Sequence, residues 1–220
     1  MKVKTNSFLN HTFITNLINN KSVMLDLGAN NGEFSKFIKR LYGGKIYAIE
    51  AIPDLYENTK EMLDVKSFNY CVSDSNKLCK IKVPENGCAS NKVNKINGEE
   101  IEVPGITLDK FLLDQQINRV DLLKMDIEGA EIEVFESISK KTLEKINQIT
   151  VEFHDFLWPE LKPKVKEIKK KIKLNGFYCI PFSLTNNGDV LFIRKNSISF
   201  FNYLYLKYLI RYLLGIKRKF

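Results

Sequence analysis

Two rhythms of apolar residues alternate along the chain. Short apolar-rich runs at residues 22–27, 46–49, 66–72, 120–125 and 146–153 read as strands. Between them apolar residues recur every three or four positions, as in Phe34, Phe37, Ile38 and Leu41, which predicts a helix opening at Gly32 and stopped by Gly43-Gly44. Pro53 suits the first turn of a second helix reaching about Leu63, and Thr107-Leu108-Asp109 begins a third. A fourth opens after Asp126, and a lysine-rich helix runs from Lys162 to Leu174. Residues 177–182 and 190–194 flank Asn186-Asn187-Gly188-Asp189, the signal of a terminal β-hairpin with an Asn-Gly turn. Five β/α units followed by a hairpin predict an α/β fold whose sheet is mostly parallel with one antiparallel strand. Three further segments sit outside this rhythm. Residues 1–20 precede the main domain at 21–196, and within them Phe8, Phe13, Ile14, Leu17 and Ile18 predict a short amphipathic helix over 7–19. Residues 75–105 form an insertion with short β-like pieces at Lys80–Val83 and Glu100–Val103, and residues 197–220 form a tail of different character.

The first strand carries the candidate chemistry. Met24 to Leu27 breaks into Gly28-Ala29-Asn30-Asn31-Gly32, and the next strand closes on Glu50, eighteen residues after Gly32. A strand, a glycine turn, a helix and an acid ending the second strand are the parts of a nucleoside-binding βαβ unit, with the acid placed for ribose hydroxyls. The loop reads D-x-G-x-N-x-G rather than G-x-G-x-x-G. Asp26 at the strand end opposes a pyrophosphate and favours a cationic or amine-bearing ligand, as the sulfonium and α-amino group of S-adenosylmethionine would be.

Bulk properties narrow the setting. The 220 residues suit one α/β domain with appendages, and 44% hydrophobic with 27% charged residues excludes a disordered chain or a fibre. The net charge of +8 attracts RNA, acidic substrates or anionic membranes without choosing among them. Cys71, Cys79, Cys88 and Cys179 form no C-x-x-C pair, so they read as reduced thiols rather than zinc ligands or a disulfide framework. No secretory-type apolar stretch follows Lys2 and Lys4, which places the body of the protein in the cytoplasm.

Asp26 to Gly32, Leu123-Lys124-Met125-Asp126-Ile127-Glu128-Gly129-Ala130-Glu131 and Val151-Glu152-Phe153-His154 together resemble the FkbM family of S-adenosylmethionine-dependent methyltransferases. Ala48-Ile49-Glu50 and Gly105 to Asp109 fall between them in the family's order, and the resemblance covers roughly residues 21 to 195. It implies a Rossmann-like sheet of seven strands, of the class I methyltransferase type. It also implies cofactor at the carboxyl ends of strands one to four and O-methylation of a hydroxyl, commonly on a sugar, glycan or other metabolite.

On that reading the donor is held by Asp26, Gly28, Ala29, Asn30 and Gly32 around its methionine part and by Glu50 at the ribose. Ser73 and Asp74 stand near the adenine edge, and Asp126 closes the crevice. A hydroxyl needs its proton shared to attack, and Asp126, Glu128 and His154 are the candidate bases. The same three would also suit a divalent ion, though nothing in their spacing requires one, and no metal is assigned. Structural alternatives are a helix-dipole role for Glu128 and Glu131 and a plain hydrogen bond for His154. Ser90, Asn91 and Trp158 are candidates for the acceptor pocket, Trp158 equally as core.

In the tail, aromatic and aliphatic residues from Phe200 to Ile216 surround Lys207 and Arg211, predicting an amphipathic helix. Two mid-segment charges argue against a bilayer span, leaving a peripheral helix at the inner face of the membrane, packing on the protein's own body, or self-association. Two rival functions remain open. An RNA methyltransferase draws on the lysine-rich helix, but no Asn/Asp-Pro-Pro-aromatic run or Pro-Cys pair is present, so nucleic acid is the weaker partner. A non-catalytic nucleoside-binding scaffold docked to a membrane is the other.

Overall fold

In the computed structural model, which describes residues 3–62, 64–83 and 99–217, the strand Val23–Leu27 (β1) lies inside a seven-stranded sheet. Met24, Leu25 and Leu27 are buried, which explains a nearly continuous apolar run: strands covered on both faces have no polar side. Lys45–Glu50 (β2) and Val65–Asn69 (β3) extend the sheet to one side of β1; Leu122–Met125 (β4), Gln148–Val151 (β5), Phe177–Pro181 (β6) and Val190–Arg194 (β7) build the other. The spatial order is β3-β2-β1-β4-β5-β7-β6, with β7 antiparallel to both neighbours. Chain order reverses between β1 and β4, so their carboxyl ends open a crevice where α/β sheets place ligands.

Helices Glu33–Tyr42 (α1), Pro53–Lys60 (α2), Leu108–Asp114 (α3), Glu131–Ser137 (α4), Lys140–Glu144 (α5) and Lys162–Leu174 (α6) connect the strands. Thr107 caps α3 and Ser139 caps α5 through their side-chain oxygens. The hairpin of β6 and β7 is present as predicted. It is joined by the longer connection 182–189 rather than a two-residue Asn-Gly turn, with Phe182 N–H donating to the Asp189 carbonyl at 2.7 Å. The β-like pieces of the insertion are real and longer than expected: Leu78–Val83 pairs antiparallel with Glu99–Ile106, which also pairs with Cys71–Val72. Ser90, Asn91 and Cys88 lie outside the described residues.

The predicted helix over residues 7–19 is not formed. Thr5–Phe8 and His11–Ile14 make an antiparallel hairpin turned by Leu9 and Asn10, both at positive φ (47° and 60°). Apolar spacing misled here because all four residues of His11–Ile14 are buried. His11 and Phe13 meet Phe34 edge-on, while Thr12 and Ile14 reach Asp189 and Gln148 through the bonds Thr12 Oγ1 to Asp189 Oδ2 (2.5 Å) and Ile14 N to Gln148 Oε1 (2.8 Å).

The tail is helical from Phe200 to Lys217, with one π turn at Leu206–Ile210. Its inner face docks on the protein's own body: Leu206 is fully buried, and Tyr203, Ile210 and Leu214 pack with it against Ile14, Phe182 and Ile193. Burying one such leucine contributes about 1.5–3 kcal/mol. No helix of the described residues is long and apolar enough to cross a membrane.

Candidate active site

The loop after β1 is shaped by what it must lie against. Gly28 has φ +74°, and a Cβ there would sit 1.7 Å from the Asp126 carbonyl oxygen, so only glycine lets β1 and β4 close their ends together. Gly28 and Ala29 N–H both donate to the Ile49 carbonyl, at 2.9 and 3.0 Å, tying the loop to β2. Glu50 holds the loop from the other side, accepting from Asn30 N–H at 2.7 Å and from Ile52 N–H at 2.9 Å. Burial raises the Glu50 carboxyl above its usual range despite those two donors. Asn30 has φ +51° and its Oδ1 accepts from Asn31 N–H at 2.7 Å. Gly32, at φ +71°, starts α1.

Beneath the loop lies a cation that sequence reasoning passed over. Lys124 on β4 is 4% exposed, and its Nζ donates to the Gly28 carbonyl at 2.6 Å. The same ammonium stands 3.2 Å from Asp26 Oδ1 and 3.7 Å from Asp126 Oδ2. Burial works to lower its pKa, but Asp26, Asp126 and Glu50 outweigh that and raise it. Asp26, 1% exposed, also accepts from Ser35 Oγ at 2.7 Å. The structure therefore places Asp26 behind the crevice, where its cation is a lysine of the same chain. The signal was legible: a lysine inside an apolar strand, two residues before Asp126 on the same face.

Asp126, Glu128 and His154 converge at the ends of β4 and β5. His154 Nε2 is 3.3 Å from Glu128 Oε2 and 3.7 Å from Asp126 Oδ1, while its Nδ1 meets Glu131 Oε1 at 2.9 Å. Glu131 does more than complement a helix dipole. It is 2% exposed and also accepts from Ile127 and Gly129 N–H, fixing both the turn and the imidazole. Burial would lower the His154 pKa, but the Glu131 bond and the neighbouring carboxylates push it up to about 9. At neutral pH the ring of the ligand-free protein is an imidazolium, with no lone pair to take a proton. Burial also works to raise Asp126, yet Lys124, His11 and His154 hold it well below the usual carboxylate range. Glu128 is raised by burial despite His154.

Two further residues join this cluster. The hairpin brings fully buried His11 to 3.5 Å from Asp126 Oδ2, with its Nδ1 3.3 Å from Thr150 Oγ1. Glu152, just past β5, faces the same space, and burial together with Asp126 pushes its carboxyl up to about 7. Ligand atoms of His11, Asp126 and Glu152, and separately of Asp126, Glu128 and His154, lie within 4.8 Å of one another, so either set could reach a metal ion. His11 gave little in sequence because its partners, on β5 and past β4, lie far along the chain. Glu152 was visible only as part of a motif.

Two cavities meet at Gly28, Asn30 and Asp126. One has apolar walls from Ile52, Leu55, Tyr70, Val72 and Ile81, with Glu50 also lining it. The other is walled by Asn10, Asn31, Glu33, Lys124 and Glu152 beside Leu9 and Phe34. Ser73 and Asp74 line neither: Ser73 Oγ bonds the Ser75 carbonyl at 2.8 Å, and Asp74 is exposed. Trp158 is 6% exposed and packs over Gly129, where a Cβ would fall 2.9 Å from the indole ring.

A crossover-reversed parallel sheet with an antiparallel β7, and a charged crevice at the ends of β1 and β4, define a Rossmann-like class I methyltransferase fold. The Methyltransferase FkbM domain matches residues 26–179, and the chain belongs to that family and is a methyltransferase. It is 28% identical over 194 residues to a Sordaria araneosa protein named Methyltransferase sdnD, covering 66% of this chain and 71% of that one. Among solved structures it is similar to a Methanococcus jannaschii fibrillarin pre-rRNA processing protein (15% identity, TM-score 0.47, 86% of this chain and 69% of that chain). It is similar also to an rRNA methylase from Streptococcus thermophilus (10% identity, TM-score 0.43, 80% and 87%).

Proposed function

We propose that this chain is an S-adenosylmethionine-dependent O-methyltransferase acting on a hydroxyl of a sugar, glycan or other metabolite. The observation that carries the reading is the pair of joined cavities, one with apolar walls beside a carboxylate and one walled by polar and charged side chains. The residues fit such a donor. Ile52, Leu55, Tyr70, Val72 and Ile81 suit an adenine, and Glu50 keeps acceptor capacity on both oxygens for ribose hydroxyls. The crevice also holds the carboxyl groups of Asp126, Glu128 and Glu152, an excess of negative charge that favours a cationic ligand. When bound, the donor supplies an electrophilic methyl group on a sulfonium.

The chain's own residues then have separable tasks. Gly28, Asn30 and Asp126 border both cavities and hold donor and acceptor in line, the source of much of the acceleration in such a displacement. His154, kept as an imidazolium by Glu131, positions Asp126 and Glu128. Glu152 takes the hydroxyl proton: it lines the second cavity, its pKa of about 7 is near working pH, and no buried donor competes for its carboxylate among the described residues. Asn10, Asn31 and Glu33 offer hydrogen bonds to a polyhydroxylated acceptor. Labelled methyl donor incubated with purified protein and fractionated cell metabolites tests this. The reading expects label in an alkali-stable methyl ether, seen by mass spectrometry; label confined to amines, thiols or RNA overturns it.

A further inference from the structure

The tail helix leaves a second apolar face uncovered. Docking uses Tyr203, Leu206, Ile210 and Leu214. On the opposite side Phe201 is 81% exposed, Tyr208 60%, Leu209 49%, Tyr212 53% and Leu213 56%. A helix apolar on both faces is ordinarily enclosed on both, and scattered exposure does not explain five neighbouring side chains on one stripe.

The charges around the stripe indicate what covers it. No Asp or Glu follows Asp189, whereas seven Lys or Arg do. Lys207 Nζ lies over the rings of Tyr203 and Tyr208 at 5.5 and 5.2 Å, and the Arg211 guanidinium lies 6.0 Å from the Tyr212 ring centre. Arg211 Nε is buried without a hydrogen-bond partner. From α6, Lys169 stands close enough to Arg211 and Lys173 to feel their charge, and Lys169, Lys173 and Lys207 all act on the Cys179 thiol. Burial and that like charge together lower the Lys169 pKa, with Asp155 the opposing carboxylate. Crowded cations call for an anion, and an aromatic stripe beside them calls for an apolar medium. Both requirements are met at one place, the boundary of an anionic bilayer.

We infer that the outward face of the Phe200–Lys217 helix lies in the surface of an anionic membrane, with Phe201, Leu209 and Leu213 reaching the acyl chains, Tyr208 and Tyr212 at the headgroup boundary, and Lys173, Lys207 and Arg211 on lipid phosphates. The helix lies flat, held to the protein by its other face. Tyrosines sit at headgroup depth, where an apolar ring and a polar hydroxyl are both satisfied.

Co-sedimentation of the full chain with vesicles tests this, comparing phosphatidylcholine containing phosphatidylglycerol with phosphatidylcholine alone. Binding should require the anionic lipid and weaken as salt is added. Lys173→Gln with Lys207→Gln should weaken it about 25-fold, at about fivefold per charge. Tyr208→Ser with Leu209→Ser and Tyr212→Ser should abolish it while the near-ultraviolet circular dichroism of the folded domain is retained. Equal binding to neutral vesicles overturns the inference. So does a chain that ignores both vesicles, whether it sediments as a monomer or as a dimer that the triple substitution dissociates; the dimer would assign the stripe to a second copy. If the triple variant loses its folded spectrum, the lysine pair alone decides, and unchanged binding by that pair is a refutation.

Discussion

Replacing Lys124 with methionine removes a buried cation and keeps most of the unbranched side chain. The change deletes the 2.6 Å bond to the Gly28 carbonyl and strips Asp26 of the ammonium 3.2 Å away. Asp26 is 1% exposed and keeps only Ser35 as a donor, so its charge has no route to water. Breaking a buried pair by removing one partner costs about 3–5 kcal/mol, because the remaining charge is uncompensated. Against a total stability of about 5–15 kcal/mol, that is a large fraction. Urea unfolding of the wild type, Lys124→Met, Asp26→Asn and the double variant closes a thermodynamic cycle. The double variant should be more stable than Lys124→Met, with a coupling of at least about 2 kcal/mol, since a neutral carboxamide beside a thioether leaves no orphan charge. If Lys124→Met costs under about 1 kcal/mol, or the two losses simply add, the ammonium is not the counter-ion that holds β1 to β4.

Other consequences concern the loop and the acid cluster. Gly28→Ala should lower the melting temperature and abolish donor binding, since its Cβ would fall 1.7 Å from the Asp126 carbonyl at φ +74°; a cost well above about 1 kcal/mol is expected. Because the folded pKa of His154 is raised to about 9, its contribution to stability is complete below about pH 6.5 and is lost as pH climbs through 9. Glu131→Gln should flatten that decline in melting temperature, and an unchanged slope would rule out the Glu131 bond as its source. Glu152→Gln should cut turnover by about 10²–10⁴-fold and remove the rising limb of the pH–rate profile near pH 7. The same variant should melt higher than wild type at pH 8, and the gap should shrink below pH 7 and close only near pH 4, below the ordinary carboxyl pKa.

What the sequence made legible was local or strongly periodic. β1, β2 and β4 were visible because strands buried on both faces read as apolar runs, and the Asn-Gly signal located the β6–β7 hairpin. The gathering of Asp126, Glu128 and His154 followed from their places at adjacent strand ends. The N-terminal hairpin was misread because burial on both sides of His11–Ile14 erased the strand alternation and left a spacing that mimics a helix. Asp26 illustrates a second limit: its position at a strand end was evident, but the partner that claims it, Lys124, lies far along the chain and joins it only through sheet pairing. His11 and Glu152 are of the same kind, drawn into the crevice by packing rather than by any neighbour in the chain. The two faces of the tail helix were equally apolar in sequence, so only the fold separates the docked side from the free one.

Calorimetric titration of the purified chain with S-adenosylmethionine tests the central claim most directly. The account predicts saturable binding in the joined cavities, competed by S-adenosylhomocysteine and lost when Val replaces Gly28. Tight binding of a nicotinamide dinucleotide with no heat from the methyl donor would contradict it.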